Sequence, residues 1–131
     1  MITAVDTNVL LDVFLADERH GSTSKQRLRY AYDDGALLVC DVVYAELAPA
    51  FGDRESLDAA LREINVTLAA LDASMAWDAG RRWLDYRHAG GPRERILADF
   101  LIGAHALAAA DRFLTRDRGF YGTYFPELKA A

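Results

Sequence analysis

The chain has 131 residues, of which 52% are hydrophobic and 27% charged, with a formal net charge of −5. This size and balance fit a single domain over residues 1–131 and exclude a disordered chain, and the acidic surplus excludes a general nucleic-acid coat protein. No apolar run reaches the roughly 18 residues of a membrane helix, so no membrane segment is expected.

The first residues, Met1-Ile2-Thr3-Ala4-Val5-Asp6, lack a basic leader and read as a buried first strand over 2–5. Asp6 or Thr7 can then cap a helix running to Leu15, with Val9, Leu10, Val13 and Phe14 on one face. A second helix is predicted over 23–33, stopping before Gly35. Residues 36–40 read as a second strand. Its Cys40, the only cysteine, reads as a buried core thiol in a reducing cytoplasm. Asp41 is expected to cap a third helix that carries Glu46 and ends near Pro49 or Phe51-Gly52. A helix over 53–64, a short strand at 66–68 and a helix over 73–88 follow, the last broken by Gly90-Gly91-Pro92. A long helix over 94–110 and a strand at 112–115 complete the regular pattern. The tail from Gly119 to Pro126 is aromatic-rich and turn-prone. Short apolar strands alternating with helices predict an α/β domain with a parallel sheet covered by helices on both faces.

Four acids interrupt apolar surroundings: Asp6 after the first strand, Glu46 in the third helix, Asp99 within Ile96–Ala104, and Asp117 after Phe113-Leu114-Thr115-Arg116. Burying a carboxylate without a partner costs several kcal/mol. The only lysines, Lys25 and Lys129, lie away from these runs. Carboxylates gathered without evident cations point to a hard metal ion such as Mg²⁺ or Mn²⁺. In parallel-sheet folds, sites gather beyond the carboxyl ends of the strands, where Asp6 and Asp117 fall. Asp99 shares a helix row with Ile96, Ile102 and Gly103. His105 lies about 120° around the helix from Asp99, which argues against a shared metal site. Each acid also has an ordinary reading, as a cap, a solvent-facing residue, an arginine partner or a turn residue. Asp12, Asp111 and Glu127 read as surface or turn acids.

The runs Val5–Leu11, Val43–Leu47, Leu97–Ala106 and Phe113–Phe120 together resemble, in order, the four motifs of PIN-domain ribonucleases, and in length the VapC-type toxins of bacterial toxin–antitoxin pairs. The resemblance implies a three-layer α/β/α sandwich and metal-dependent endonucleolytic cleavage of RNA. It implies an acidic quartet of Asp6, Glu46, Asp99 and Asp117 around Mg²⁺ or Mn²⁺, with Asn8 and Thr115 orienting carboxylates or metal-bound water. It also implies a homodimer bound to a small antitoxin protein. Two departures stand out. After Pro126 no apolar run supplies the usual final strand, which leaves open whether the sheet has that edge, and Asp41 stands where relatives often carry Ser or Thr. A catalytically weak PIN-like module, acting through RNA or protein binding, is the alternative reading.

For substrate contact, Arg116 and Arg118 flank Asp117, and residues 81–95 carry Arg81, Arg82, Arg87, Arg93 and Arg95 against Asp85 and Glu94. Arg87, Arg93, Arg116 and Arg118 are the expected phosphate contacts; salt bridges to nearby acids, or a solvated face, are the competing roles. Tyr121, Tyr124 and Phe125 could stack on bases or close the end of the core.

Overall fold

The computed structural model describes residues 1–92 and 96–131. Arg93 and Arg95, two of the expected basic residues, lie outside the described residues.

Four three-residue strands form the sheet among the described residues: β1 (Thr3–Val5), β2 (Leu37–Val39), β3 (Val66–Leu68) and β4 (Arg112–Leu114). Their order is β3-β2-β1-β4, and every pair is parallel. The register sets Thr3 opposite both Leu37 and Arg112, and Val5 opposite Leu114. β1 and the ends of its neighbours carry fully buried side chains, as expected for strands covered on both faces. The chain winds outward from β1 to β3 and then returns to place β4 on the other side of β1. That reversal makes the crevice beyond β1 and β4 the topological switch point, where such folds place their ligands.

The helices are α1 (Thr7–Phe14), α2 (Gly21–Asp34), α3 (Asp41–Leu47), α4 (Arg54–Glu63), α5 (Ala73–His88), α6 (Leu97–Ala109) and α7 (Arg118–Tyr124). With the parallel sheet they make the α/β/α sandwich that the alternation predicts. A 3₁₀ turn, Ala48–Ala50, extends α3 to the position of Pro49. Asp6, Asp53 and Asp72 cap α1, α4 and α5 with side-chain oxygens that accept backbone N–H groups. At the end of α2, Gly35 has φ +152°, and a Cβ there would overlap the Met1 carbonyl oxygen, so only glycine fits. No helix among the described residues is long and apolar enough to cross a membrane.

Two local expectations need correction. Cys40, not Asp41, is the N-cap of α3, and Asp41 sits in the first turn, where its Oδ1 accepts the Leu71 N–H at 3.2 Å. The aromatic tail is not a turn but the helix α7, which buries Phe120 and Tyr121 and is followed by the buried Phe125. These rings pack edge-on or tilted against Phe100 and Phe113, so they close the core; the burial gained outweighs the weak helix propensity of Gly119 and Gly122. The open edge beside β4 carries a single parallel bridge, Phe113 to Ala130, made by Phe113 N–H to Lys129 O and Ala131 N–H to Phe113 O. The tail thus begins to cover that edge without a full strand.

Candidate active site

The site begins with backbone geometry. β1 ends at Val5, and Asp6 turns the chain into α1 with extended φ and ψ. As N-cap it accepts the Thr7 N–H on Oδ1 at 2.8 Å. Its Oδ2 accepts the Thr115 hydroxyl at 2.7 Å and the Asn8 amide at 3.3 Å. Thr115 follows β4, so these bonds span the switch point between the two strands. The same Thr115 oxygen accepts the Asp117 N–H at 2.9 Å, and Asn8 Oδ1 accepts the Arg116 N–H at 3.2 Å. Asn8 and Thr115 therefore hold the turns after β1 and β4 together and fix Asp6 Oδ2, while the Thr7 N–H fixes Oδ1.

Glu46 comes from the exposed side of α3, and its Oε1 accepts the Thr7 hydroxyl at 2.7 Å. Thr7 thus ties the first and second acidic positions, a role the sequence reading missed. Asp99 lies in the first turn of α6, half-buried, and its carbonyl accepts the Tyr121 hydroxyl at 3.3 Å. Asp117 is the N-cap residue of α7. Asp6, Asp99 and Asp117 thus stand at or near helix N-termini, where the helix dipole favours negative charge.

Asp6 is only 6% exposed. Burial pushes its carboxyl up to about 6, against the hydrogen bonds from Thr115 and Thr7, and the negative charges of Glu46 and Asp99 push in the same direction. A carboxylate set in this way gains from a cation. The donor chemistry is that of a hard ion, which takes oxygen ligands, typically one or two carboxylates with the remaining positions filled by water. Among the described residues no group of three or more His, Cys, Asp or Glu side chains is placed to hold a metal ion, so the four predicted acids are not brought together as one ligand set. The fit is therefore to a water-rich ion on Asp6 and a neighbouring acid, with other acids acting at longer range.

His105 does not join this group. It is 1% exposed, and it bonds toward the Ala69 backbone with its Nε2 unpaired, so burial lowers its pKa. The helix-angle argument against a shared site with Asp99 agrees with this placement.

Asp12, expected as a surface or turn acid, is 4% exposed and bound by two partners. It accepts Arg116 Nε at 2.7 Å, Arg116 Nη2 at 3.1 Å and the Ser24 hydroxyl at 2.5 Å. Burial works against its charge, but the Arg116 and Ser24 hydrogen bonds and the Arg116 charge hold its carboxyl below the usual range. The signal was present: Asp12 shares a helix row with the buried Val9, three residues earlier, the same argument that marks Asp99. Arg116 therefore spends one edge of its guanidinium on Asp12. Arg118 donates to the Ala131 carbonyl oxygen at 3.3 Å.

The basic stretch is less available than its sequence suggests. Arg82 pairs with Asp78 and Glu127 and lies 4.6 Å from the Phe125 ring centroid. Glu127 is in turn held down to about 2 by the Arg82 hydrogen bonds. Arg87 donates to the Gly91 carbonyl oxygen at 2.8 Å, which closes the turn after α5. Asp111 accepts the Ile2 N–H at 2.7 Å and secures the start of β1.

A family model for the PIN domain matches residues 3–126. The chain belongs to the PIN-domain family. No curated protein matches it in direct sequence comparison. Among solved structures, it is similar to VapBC2 from Rickettsia felis bound to a DNA fragment from their promoter, with a TM-score of 0.73 at 18% identity over 100% of this chain and 98% of that chain. It is similar also to VapBC-1 from nontypeable Haemophilus influenzae, with a TM-score of 0.71 at 18% identity over 100% of this chain and 97% of that chain. At that identity the likeness establishes the fold. In this PIN domain the first and last motifs meet at Asp6 and Thr115, and the second motif reaches them through Thr7.

Proposed function

We propose that this PIN-domain protein is a metal-dependent endoribonuclease, the toxin of a VapC-type toxin–antitoxin pair, working in the cytoplasm as a homodimer that a small antitoxin restrains. The observation that carries the reading is the buried, charge-strained Asp6 at the switch point, fixed from both sides by Thr115, Asn8 and Thr7. In this reading Asp6 and a neighbouring acid would hold Mg²⁺ or Mn²⁺ directly, and the rest of the quartet of Asp6, Glu46, Asp99 and Asp117 would act on the ion through water. Such an ion supplies a more acidic attacking water and neutralises charge at the phosphate and the leaving oxygen.

The chain's own groups do the positioning. Thr115 and Asn8 orient Asp6 through Oδ2, and Oδ1, which accepts the Thr7 N–H, keeps a further lone pair for an ion. Thr7 orients Glu46. The acids raise the cost of an empty site by mutual repulsion, which favours loading when metal is present. Arg87, Arg93, Arg116 and Arg118 contact RNA phosphates, Arg116 with the guanidinium N–H groups that Asp12 leaves open. The likeness to VapBC structures supports an antitoxin partner.

The test is cleavage of mixed cellular RNA by the purified, partner-free protein, with Mn²⁺ and with EDTA, followed by mapping of new 5′ ends. Discrete new ends with Mn²⁺ and none with EDTA are expected. RNA retention without metal-dependent cleavage would replace this reading with that of a binding module.

A further inference from the structure

Beside the acidic site lies an open pocket of about 300 Å³, lined by Val9, His20, Thr23, Ser24, Arg27, Arg116 and Arg118. It is formed by α1, the first two turns of α2 and the turn after β4. No carboxylate of the described residues lines it, although the chain as a whole carries −5. The Arg116 charge is matched by Asp12 behind the wall. Arg27 has no carboxylate partner among the described residues, and Arg118 donates one guanidinium N–H to the Ala131 oxygen and keeps the others open. The pocket therefore holds a local positive excess in an acidic protein. Arg27 is half-buried on α2, so its stem is packed and its head is confined. Asp17 pins the loop before α2 by accepting the Arg19 and His20 N–H groups at 3.1 and 2.7 Å, which fixes His20 and Thr23 at the mouth.

The pocket is continuous with the acidic site through consecutive residues. Arg116 lines it, and Thr115 binds Asp6. An anionic strand whose one phosphodiester lies against the acids must carry its neighbouring phosphates away from that negative cluster. This is the adjacent surface of opposite sign. We propose that Arg27 and Arg118, with the Thr23 hydroxyl and His20, bind a backbone phosphate of the RNA next to the one that is cleaved. The inference rests on the ribonuclease reading and adds a second phosphate position to it, centred on Arg27, outside the family motifs and outside the 81–95 stretch. Guanidinium forks suit phosphate oxygens geometrically, and contact with the backbone alone makes the subsite indifferent to base identity.

The experiment measures binding of a mixed-sequence single-stranded RNA oligonucleotide across a salt series in EDTA, for wild type, Arg27→Ala and Arg27→Lys. Mn²⁺ affinity, thermal unfolding and binding of a polyglutamate peptide are measured alongside. Arg27→Ala is expected to lose roughly three- to tenfold in RNA affinity and to flatten the log–log salt slope by about 0.7, the value of one single-strand phosphate contact. Arg27→Lys should recover the slope, and Mn²⁺ affinity should stay at the wild-type value in both. Wild-type affinity and slope in Arg27→Ala, from a protein that does bind and cleave RNA, would overturn the pocket alone. A wild-type protein that neither binds nor cleaves RNA would remove the ribonuclease reading and the pocket with it. Loss of polyglutamate binding with RNA binding intact would overturn the phosphate assignment in favour of an acidic protein segment.

Discussion

Arg116, in the turn after β4, reaches the buried Asp12 of α1 with two parallel contacts, Nε to Oδ2 at 2.7 Å and Nη2 to Oδ1 at 3.1 Å. The pair locks the turn that carries Thr115 and Asp117 against the helix that Asp6 caps. It is part of the site's scaffold more than of its substrate surface.

Removing one member should therefore cost more than a surface ion pair. Asp12→Ala leaves Arg116 half-anchored and the Ser24 hydroxyl without its acceptor; a loss of about 2–4 kcal/mol is expected, toward the lower end because Arg116 is partly solvated. The folded-state pKa of Asp12 is lowered from 3.8, so its contribution is present above that value and is lost as pH falls through the folded pKa. Urea unfolding of wild type and Asp12→Ala at neutral pH and near pH 3 checks both points. An equal stability gap at the two pH values would contradict the pairing.

Asp6 has the opposite sign. Its pKa rises from 3.8 to about 6 on folding, so stability is fully present below the unfolded value and declines as pH rises through 6. In metal-free buffer at pH 7.5, Asp6→Asn should be more stable than wild type, by an amount on the order of 1–3 kcal/mol. The difference should shrink toward pH 4, and added Mn²⁺ should stabilise wild type more than the variant. Melting curves at the two pH values, with EDTA and with Mn²⁺, give the answer. A wild type more stable than Asp6→Asn at pH 7.5 in EDTA would contradict the charge strain.

Gly103 tests the aromatic closure. A Cβ at this helical position would lie 2.6 Å from the Phe125 ring, which is fully buried. Helix propensity alone would favour alanine by about 1 kcal/mol, whereas overpacking costs about 1–3 kcal/mol. Gly103→Ala is expected to lower stability. A gain in melting temperature would mean that α7 and Phe125 move aside freely.

Much of this was legible in the chain. The four strands are short apolar runs bounded by helix-start residues, and α5 over Ala73–His88 is bounded by Asp72 as its cap and the Gly90-Gly91 break. Asp6 and Asp117 could be placed at one sheet edge because each falls just after a strand-like run. The α7 helix was hidden because its residues have weak helical preference, and its packing against Phe113 and, from far earlier in the chain, Tyr86 and Phe100 stabilises it. Asp12 shares a helix row with Val9, but its burial could not be read as tolerable because the partner that satisfies it stands more than a hundred residues later. The Arg27 pocket was invisible for the same reason: it joins α2 to the turn after β4.

The most direct test of the account is Mn²⁺-dependent RNA cleavage by purified wild type, Asp6→Asn and Asp99→Asn, each shown to be folded by its melting curve, with Mn²⁺ affinity measured by titration. The account predicts cleavage by wild type, loss of about a hundredfold or more in each variant, as expected for removal of a charged group that stabilises the transition state, and weakened Mn²⁺ binding in both. Wild-type cleavage and wild-type Mn²⁺ affinity in both folded variants would contradict it.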